Sequence, residues 1–341
     1  MARFIELNND QRREMVNTRQ RYQAWRNAVD REHGYRGSMV WEETKGNQYL
    51  MRSYYDAAEK RRQKSLGRRS HETETIKARF DAERAAATEA RKSIDLVIER
   101  QAAINRVLGL GRIPLVAAKI LRAIDRRGLL GNGLRLIGTN ALYCYEAACG
   151  VLIDPEITAT LDIDLLFDTR SSLRLVGNAD LPDADLLQLL RLVDRSFART
   201  RQSFRAQNDE GYLVDLIKPQ LNPPWSRQKR TLGGPDDLQA AEIEGLKWLE
   251  NAPAFEQVAV DEKGFPSRMV AVDPRVFAVH KLWVSSRVDR DPIKKARDRE
   301  QAFVVARLVR EYLPHLPLVS SELRMIPKEI CEAALAEFER Q

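Results

Sequence analysis

The chain has 341 residues, 43% of them hydrophobic and 31% charged, which predicts a globular protein of about two domains with an added helical segment. Three cysteines, Cys144, Cys149 and Cys331, lack CxxC spacing and exclude a disulfide framework or zinc module. The opening Met1–Glu6 lacks an apolar signal core and no uncharged stretch reaches membrane-spanning length, so a cytoplasmic setting with no membrane contact is expected. A formal net charge of +7 favours an anionic partner such as nucleotide or nucleic acid, although a basic helical surface gives the same number.

Residues from about Asn9 to Glu32 are polar and Arg-rich and predict an exposed helix. Met39–Glu42, Gln48–Tyr55 and Gln63–Gly67 read as strands, with turn chemistry at Lys45-Gly46-Asn47, and together predict a small β-meander. From Glu72 to Leu108 the chain is rich in Ala, Glu, Arg and Lys. Its apolar residues recur at helical spacing (Ile76 and Phe80, Ile94 and Ile98, Ile104 and Leu108), which predicts one long amphipathic helix. Gly109–Pro114 breaks that helix and closes an N-terminal region, residues 1–110.

A second region, residues 111–225, alternates helices and strands. It opens with a helix from Leu115 to Arg127 and a short strand, Leu134–Ile137. A Gly138-Thr139 turn then opens a helix over Asn140–Cys149. A strand around Asp162, a helix from Ala184 to Phe197 and strands near Ser203–Ala206 and Tyr212–Ile217 follow, and Pro219, Pro223 and Pro224 mark the exit. Residues 226–341 predict a mostly helical domain interrupted by a hairpin, Phe255–Val260 with Ser267–Val272. Asp273-Pro274 and Asp291-Pro292 each read as an N-cap with proline at the first helical position, starting helices over Arg275–Ser286 and Ile293–Tyr312. The fold class expected is α+β.

Chemistry enters at Leu161-Asp162-Ile163-Asp164-Leu165-Leu166-Phe167. Alternation in a strand turns Asp162 and Asp164 to one face and Ile163, Leu165 and Phe167 to the other. Carboxylates form strands poorly and are costly to bury unpaired, so the pair needs a positive partner. A divalent cation, Mg²⁺ or Mn²⁺, held with the phosphates of a nucleotide fits best. Asp215 supplies a third carboxylate from a second apolar strand. In transfer of a nucleotidyl group, Asp162 and Asp164 would bridge two ions. Asp215 would hold the ion that activates the acceptor hydroxyl, and could accept its proton. Gly138, Thr139 and Asn140 suit the triphosphate, because the turn after a strand presents backbone N–H groups and a hydroxyl at a helix start.

The order of these motifs resembles the DNA polymerase β-like nucleotidyltransferase superfamily, with its Gly-Ser/Thr turn, DxD strand and third Asp strand. Ile137-Gly138-Thr139-Asn140-Ala141-Leu142-Tyr143 followed by Thr160-Leu161-Asp162-Ile163-Asp164-Leu165-Leu166 is similar to a bacterial family of that fold. The wider pattern is similar to abortive-infection-type nucleotidyltransferase toxins. Trp41, Gly46–Leu50 and Ser65–Gly67 match the bacterial family's N-terminal part, and Phe277–Trp283 its C-terminal part.

The likeness implies a polymerase β-like core, a mixed sheet with flanking helices. It implies an enzyme moving a nucleoside monophosphate from a nucleoside triphosphate to an acceptor hydroxyl, with release of pyrophosphate. The acceptor could be an RNA 3′ end, a protein or a small molecule, and the toxin of a toxin–antitoxin pair is one setting it permits. It also implies that the helical Lys281 reaches the triphosphate, against a plain snorkelling lysine. One departure is the stretch Gly150–Pro155, read as an excursion between the turn and the DxD strand. The rival reading is a non-catalytic nucleotide- or RNA-binding module that assembles through the long helix.

Other polar residues have plainer expectations. His280 reads as a partly buried helix residue rather than a base, and Asp168 as a turn cap. Lys218 points away from Asp215 by strand parity. Arg287, Arg290, Lys294, Lys295 and Arg297 read as a salt-bridged face, with Lys294 or Arg297 able to touch phosphate. Arg61–Arg69, following Tyr49, Tyr54 and Tyr55, is either a surface for stacking single-stranded bases or a strand core edged by solvated arginines.

Overall fold

A computed structural model describes residues 3–56, 60–168, 185–220, 231–234 and 236–340. Pro223, Pro224 and the start of the helix expected at Ala184 lie outside the described residues.

A short strand β1 (Phe4–Glu6) leads into α1 (Asn9–Gly34), whose start is fixed by a capping box. The Asn8 side chain accepts from Gln11 N–H at 2.9 Å, and the Gln11 side chain accepts from Asn8 N–H at 3.0 Å. The meander is β2 (Ser38–Thr44), β3 (Asn47–Tyr55) and β4 (Arg61–Arg68), all antiparallel. Lys45 and Gly46 both take positive φ, as a two-residue hairpin turn requires. Then α2 (His71–Val107) runs back along α1, with Thr18 bonded to Asn105 and Tyr35 to Glu83.

Past Gly109 come α3 (Leu115–Arg126), β5 (Leu134–Ile137) and α4 (Ala141–Cys149), close to the expected bounds. The excursion is β6 (Val151–Ile153) and α5 (Pro155–Thr158), and β6 pairs with β1. The N-terminal strand is thereby stitched to the segment between the turn and the DxD strand. Next are β7 (Asp162–Phe167), α6 (Leu186–Val193), β8 (Ala198–Arg199), β9 (Arg205–Gln207) and β10 (Leu213–Pro219). The chain continues through β11 (Ala241–Ile243), α7 (Leu246–Asn251) and the hairpin β12 (Ala254–Val260) and β13 (Pro266–Val272). Three helices close it: α8 (Pro274–Ser286), α9 (Pro292–Tyr312) and α10 (Lys328–Glu339).

The architecture is α+β, a mixed sheet flanked by helices, in the order β12-β13-β5-β7-β10-β9-β8 with β11 on β10. β5 is antiparallel to β7, and β7 is parallel to β10. One apolar core runs from Phe4 and Met15 through Leu165 and Leu216 to Val270, Phe277 and Phe338, so residues 111–225 and 226–341 share it. The physical reason is the hairpin: β13 pairs β5, which makes it part of the central sheet. A second, small core of Met39, Leu50 and Phe80 lies under the meander.

Candidate active site

The register of β7 and β10 builds the site. In this parallel pair Asp215 stands opposite Asp164, and Leu213 opposite Asp162. On β7 the aspartates are half-buried, while Ile163 and Leu165 between and beyond them are fully buried on the other face. Ile137, the last residue of β5, pairs with Asp164 from the opposite side and delivers the Gly138 turn to it. Asp162, Asp164, Asp215, Gly138 and Lys281 all line one cleft of about 570 Å³, from separate elements. Thr139 and Asn140 do not line that cleft.

Electrostatics single out Asp164. Burial and then the neighbouring Asp162 push its carboxyl up to about 7, with a lesser push from Asp215, against opposing pulls from Lys281 and Arg290. Cations stand around it, each partly engaged. Arg205 on β9 lies opposite Asp215 in the antiparallel ladder and forks onto it, Nε to Oδ1 and Nη2 to Oδ2, both at 2.6 Å. Lys281 Nζ donates to Asp298 Oδ1 at 2.6 Å, and Arg290 Nε donates to Asp298 Oδ2 at 2.8 Å, so two cleft cations share one buried carboxylate. Arg287 and Lys294 complete the basic side. Among the described residues, no three His, Cys, Asp or Glu side chains are grouped as a ready metal cage. Arg205 occupies both oxygens that Asp215 would offer.

The turn behind the cleft is braced rather than open. Gly138 has φ +66°, and a side chain there would run into the Asp164 carboxylate, whose Cγ lies 3.0 Å from the position of a Cβ. The close approach that glycine permits is therefore to Asp164. Ala141 and Leu142 N–H donate to the Gly138 and Thr139 carbonyls, at 3.2 and 3.1 Å, which uses two amides expected to be free. Asn140 is buried and its amide donates to the Asp162 carbonyl at 2.6 Å, tying the turn to the DxD strand. The Thr139 oxygen accepts from Arg297 and from Gln301 of α9, both at 3.2 Å, which leaves its own hydroxyl proton to donate. Thr160 donates its hydroxyl to Asp162 Oδ1.

The other polar residues near the sheet have ordinary structural partners. His280 is half-buried against Trp248 and Trp283, and burial followed by the Lys281 charge lowers its pKa to about 3, so the ring is neutral. Asp168 is buried and paired with Arg135 of β5, which also donates to the Glu250 and Ala252 carbonyls, and the turn that Asp168 is expected to cap lies outside the described residues. Lys218 is fully buried and ion-paired with Glu242 at 3.3 Å. Arg205 and Gln301 escaped the sequence reading. For Arg205 a signal existed, because folding the two strands about Asp209-Glu210-Gly211 sets it opposite Asp215. Gln301 needed the packing of α9 on the turn, which no local pattern reveals.

Comparison with known proteins gives one match and two blanks. No curated protein and no solved structure matches the chain. A family model described as nucleotidyltransferase matches residues 116–326, the span that holds the turn, the three aspartates and α9. That span exceeds half of the chain, and the protein belongs to this nucleotidyltransferase family.

Proposed function

We propose that the cleft transfers a nucleoside monophosphate from a nucleoside triphosphate to an acceptor hydroxyl, within a polymerase β-like core. The observation that carries the reading is the parallel register that sets Asp164 beside Asp215, with the Gly138 turn against the same carboxylate. The acceptor oxygen forms a bond to the α-phosphorus, the bond from that phosphorus to the β-phosphate bridging oxygen breaks, and pyrophosphate leaves.

The donor set suits Mg²⁺ or Mn²⁺. All three ligands are hard carboxylate oxygens, and burial together with the Asp162 charge raises the Asp164 carboxyl, an effect a bound cation would oppose. Asp162 and Asp164 would hold it, with Asp215 joining once Arg205 turns aside. A bound divalent cation would neutralise charge that develops on the attacking and leaving oxygens. The remaining work falls to side chains present here. Asp215, freed from Arg205, takes the proton of the acceptor hydroxyl. Arg205 can instead meet an α-phosphate oxygen, and Lys281, Arg290 and Lys294 face the β- and γ-phosphates. Thr139, behind the cleft lining, would act by holding the Gly138 turn in place through Arg297 and Gln301.

The fork from Arg205 to Asp215 favours a second reading, a binding module whose third carboxylate is permanently engaged. One assay separates the two. The protein is incubated with α- or γ-labelled triphosphates, Mg²⁺ or Mn²⁺, and either total RNA or the protein alone. Transfer of the α label only, lost in Asp164→Asn, is the expected result. Metal-independent nucleotide binding with no transfer to any acceptor supports the module instead.

A further inference from the structure

The meander is a separate head on a two-helix arm. It packs on the N-terminal end of α2 over its own core, while the other end of α2 reaches the main body through Asn105, whose amide donates to the Gly264 carbonyl. At 37 residues α2 is about 55 Å long. The head is one of the basic segments of the chain. Residues 35–70 hold nine Lys and Arg against four Asp and Glu, a surplus of five out of the net +7.

Alternation from Leu50, Met39 and Leu66, which face α2, turns Val40, Tyr49, Met51, Tyr55, Arg61 and Gln63 to the opposite face. On that face Val40 and Tyr55 are 42% and 39% exposed, Tyr49 and Met51 are half-buried, and Ser53 is buried. The Arg36 guanidinium lies 4.4 Å from the Tyr55 ring centre, and Tyr55 stands opposite Arg61. Along the edge, Arg61, Arg62, Gln63, Lys64 and Ser65 of β4 are all exposed. A sheet surface with aromatic and thioether side chains, bordered by cations, suits unstacked bases on the face and phosphates along the rim.

We infer that the outer face of the meander is a docking surface for single-stranded nucleic acid. This surface is independent of the cleft chemistry and fits a polynucleotide substrate for it. Cations on an edge strand also keep sheets from pairing with one another, and that role alone requires no ligand.

The test is fluorescence anisotropy of a labelled, unstructured RNA oligomer titrated with the full chain, with DNA of the same sequence and its duplex as competitors. The expected result is that both single strands bind and compete better than the duplex. Arg61→Glu with Arg68→Glu, both opposite outer-face tyrosines, should weaken binding at least tenfold. It should also flatten the dependence of log K on log salt by about 0.7 for each phosphate the protein no longer neutralises. The milder Arg61→Gln with Arg68→Gln, which keeps polar side chains on the strand, should weaken it less, and Tyr55→Ala should weaken it with the salt slope unchanged. Asp164→Asn should bind as the wild type does, so failure of the transfer reaction and failure of this surface are read separately. Unaltered binding in the Glu pair, no RNA binding by the full chain, or tighter binding of the duplex would overturn the inference.

Discussion

Only a backbone fits at position 138. Gly138 holds a left-handed φ of +66° and abuts the Asp164 carboxylate, so one methyl group meets both strain and collision. Gly138→Ala should cost about 1–2 kcal/mol in stability, read by urea denaturation, and cut transfer more than tenfold by displacing Asp164. Asp164 makes its own pH prediction. Its carboxyl is raised from 3.8 to about 7 in the folded chain, so folding binds a proton and the associated stability is full below 3.8 and lost as pH rises through 7. Asp164→Asn, with chelator present, should therefore be roughly 1–3 kcal/mol more stable than wild type at pH 8, and the gap should close toward pH 5. A constant difference across that range would contradict the burial and like-charge origin of the shift. Arg205 acts in the opposite sense on two readouts. Arg205→Gln should lower the stability of the metal-free protein by about 1–3 kcal/mol and raise its affinity for Mn²⁺, because the fork both supports and covers Asp215. The DxD pair, the third aspartate and the glycine were legible because strand parity and turn chemistry are local. Of the partners that hold them in check, Arg205 could be found from the hairpin register, whereas Asp298 meets Lys281 from a separate helix and leaves no local pattern.

At the scale of elements, α9 braces the Gly138-Thr139 turn from outside the motif. Gln301 is fully buried, and it bridges the Thr139 hydroxyl and the Ile157 carbonyl, the latter at 3.0 Å. Thr139→Val keeps the shape of the side chain but strands the Arg297 and Gln301 donors. It should cost about 1–3 kcal/mol and raise the KM for triphosphate more than it lowers kcat. An unchanged KM would remove Thr139 from nucleotide binding. The long helices were readable because caps and periodicity mark them: Asp273 and Asp291 accept the N–H groups of Arg275 and Ile293 just inside their prolines. The same signature at Asp154-Pro155 starts α5, with Asp154 accepting from Glu156 N–H, and was passed over inside an apparent excursion. Strands of two or three residues such as β1, β6, β8 and β11 carry too few positions for alternation to register. Pairing with a distant partner makes them strands.

For the whole molecule, two unequal cores imply two responses to damage. The meander rests on Met39, Leu50 and Phe80, whereas the sheet and its helices share the large core. Leu50→Ala should cost roughly 2–5 kcal/mol locally. Limited proteolysis should then cut between β2 and β4 while triphosphate binding and the main thermal transition stay in place. Joint loss of both would show that the head and the body unfold as one unit. The sequence break at Gly109–Pro114 was visible as a change of composition, but the merging of residues 226–341 with the central sheet was not. The hairpin joins the sheet beside β5, and parallel pairing of β13 with a strand more than a hundred residues earlier leaves no local trace.

No helix among the described residues is long and apolar enough to cross a membrane, and the catalytic account needs only the cleft. It turns on whether Asp162, Asp164 and Asp215 together take a divalent cation beside a triphosphate. The direct measurement is a crystal structure of the full chain with Mn²⁺ and a non-hydrolysable triphosphate, located by the anomalous signal of manganese. The account predicts manganese between the three carboxylates, the phosphates on the Lys281 and Arg290 side, and Arg205 turned off Asp215. Manganese outside the cleft, or a bound triphosphate with the Arg205 fork intact and no metal at Asp164, would contradict it.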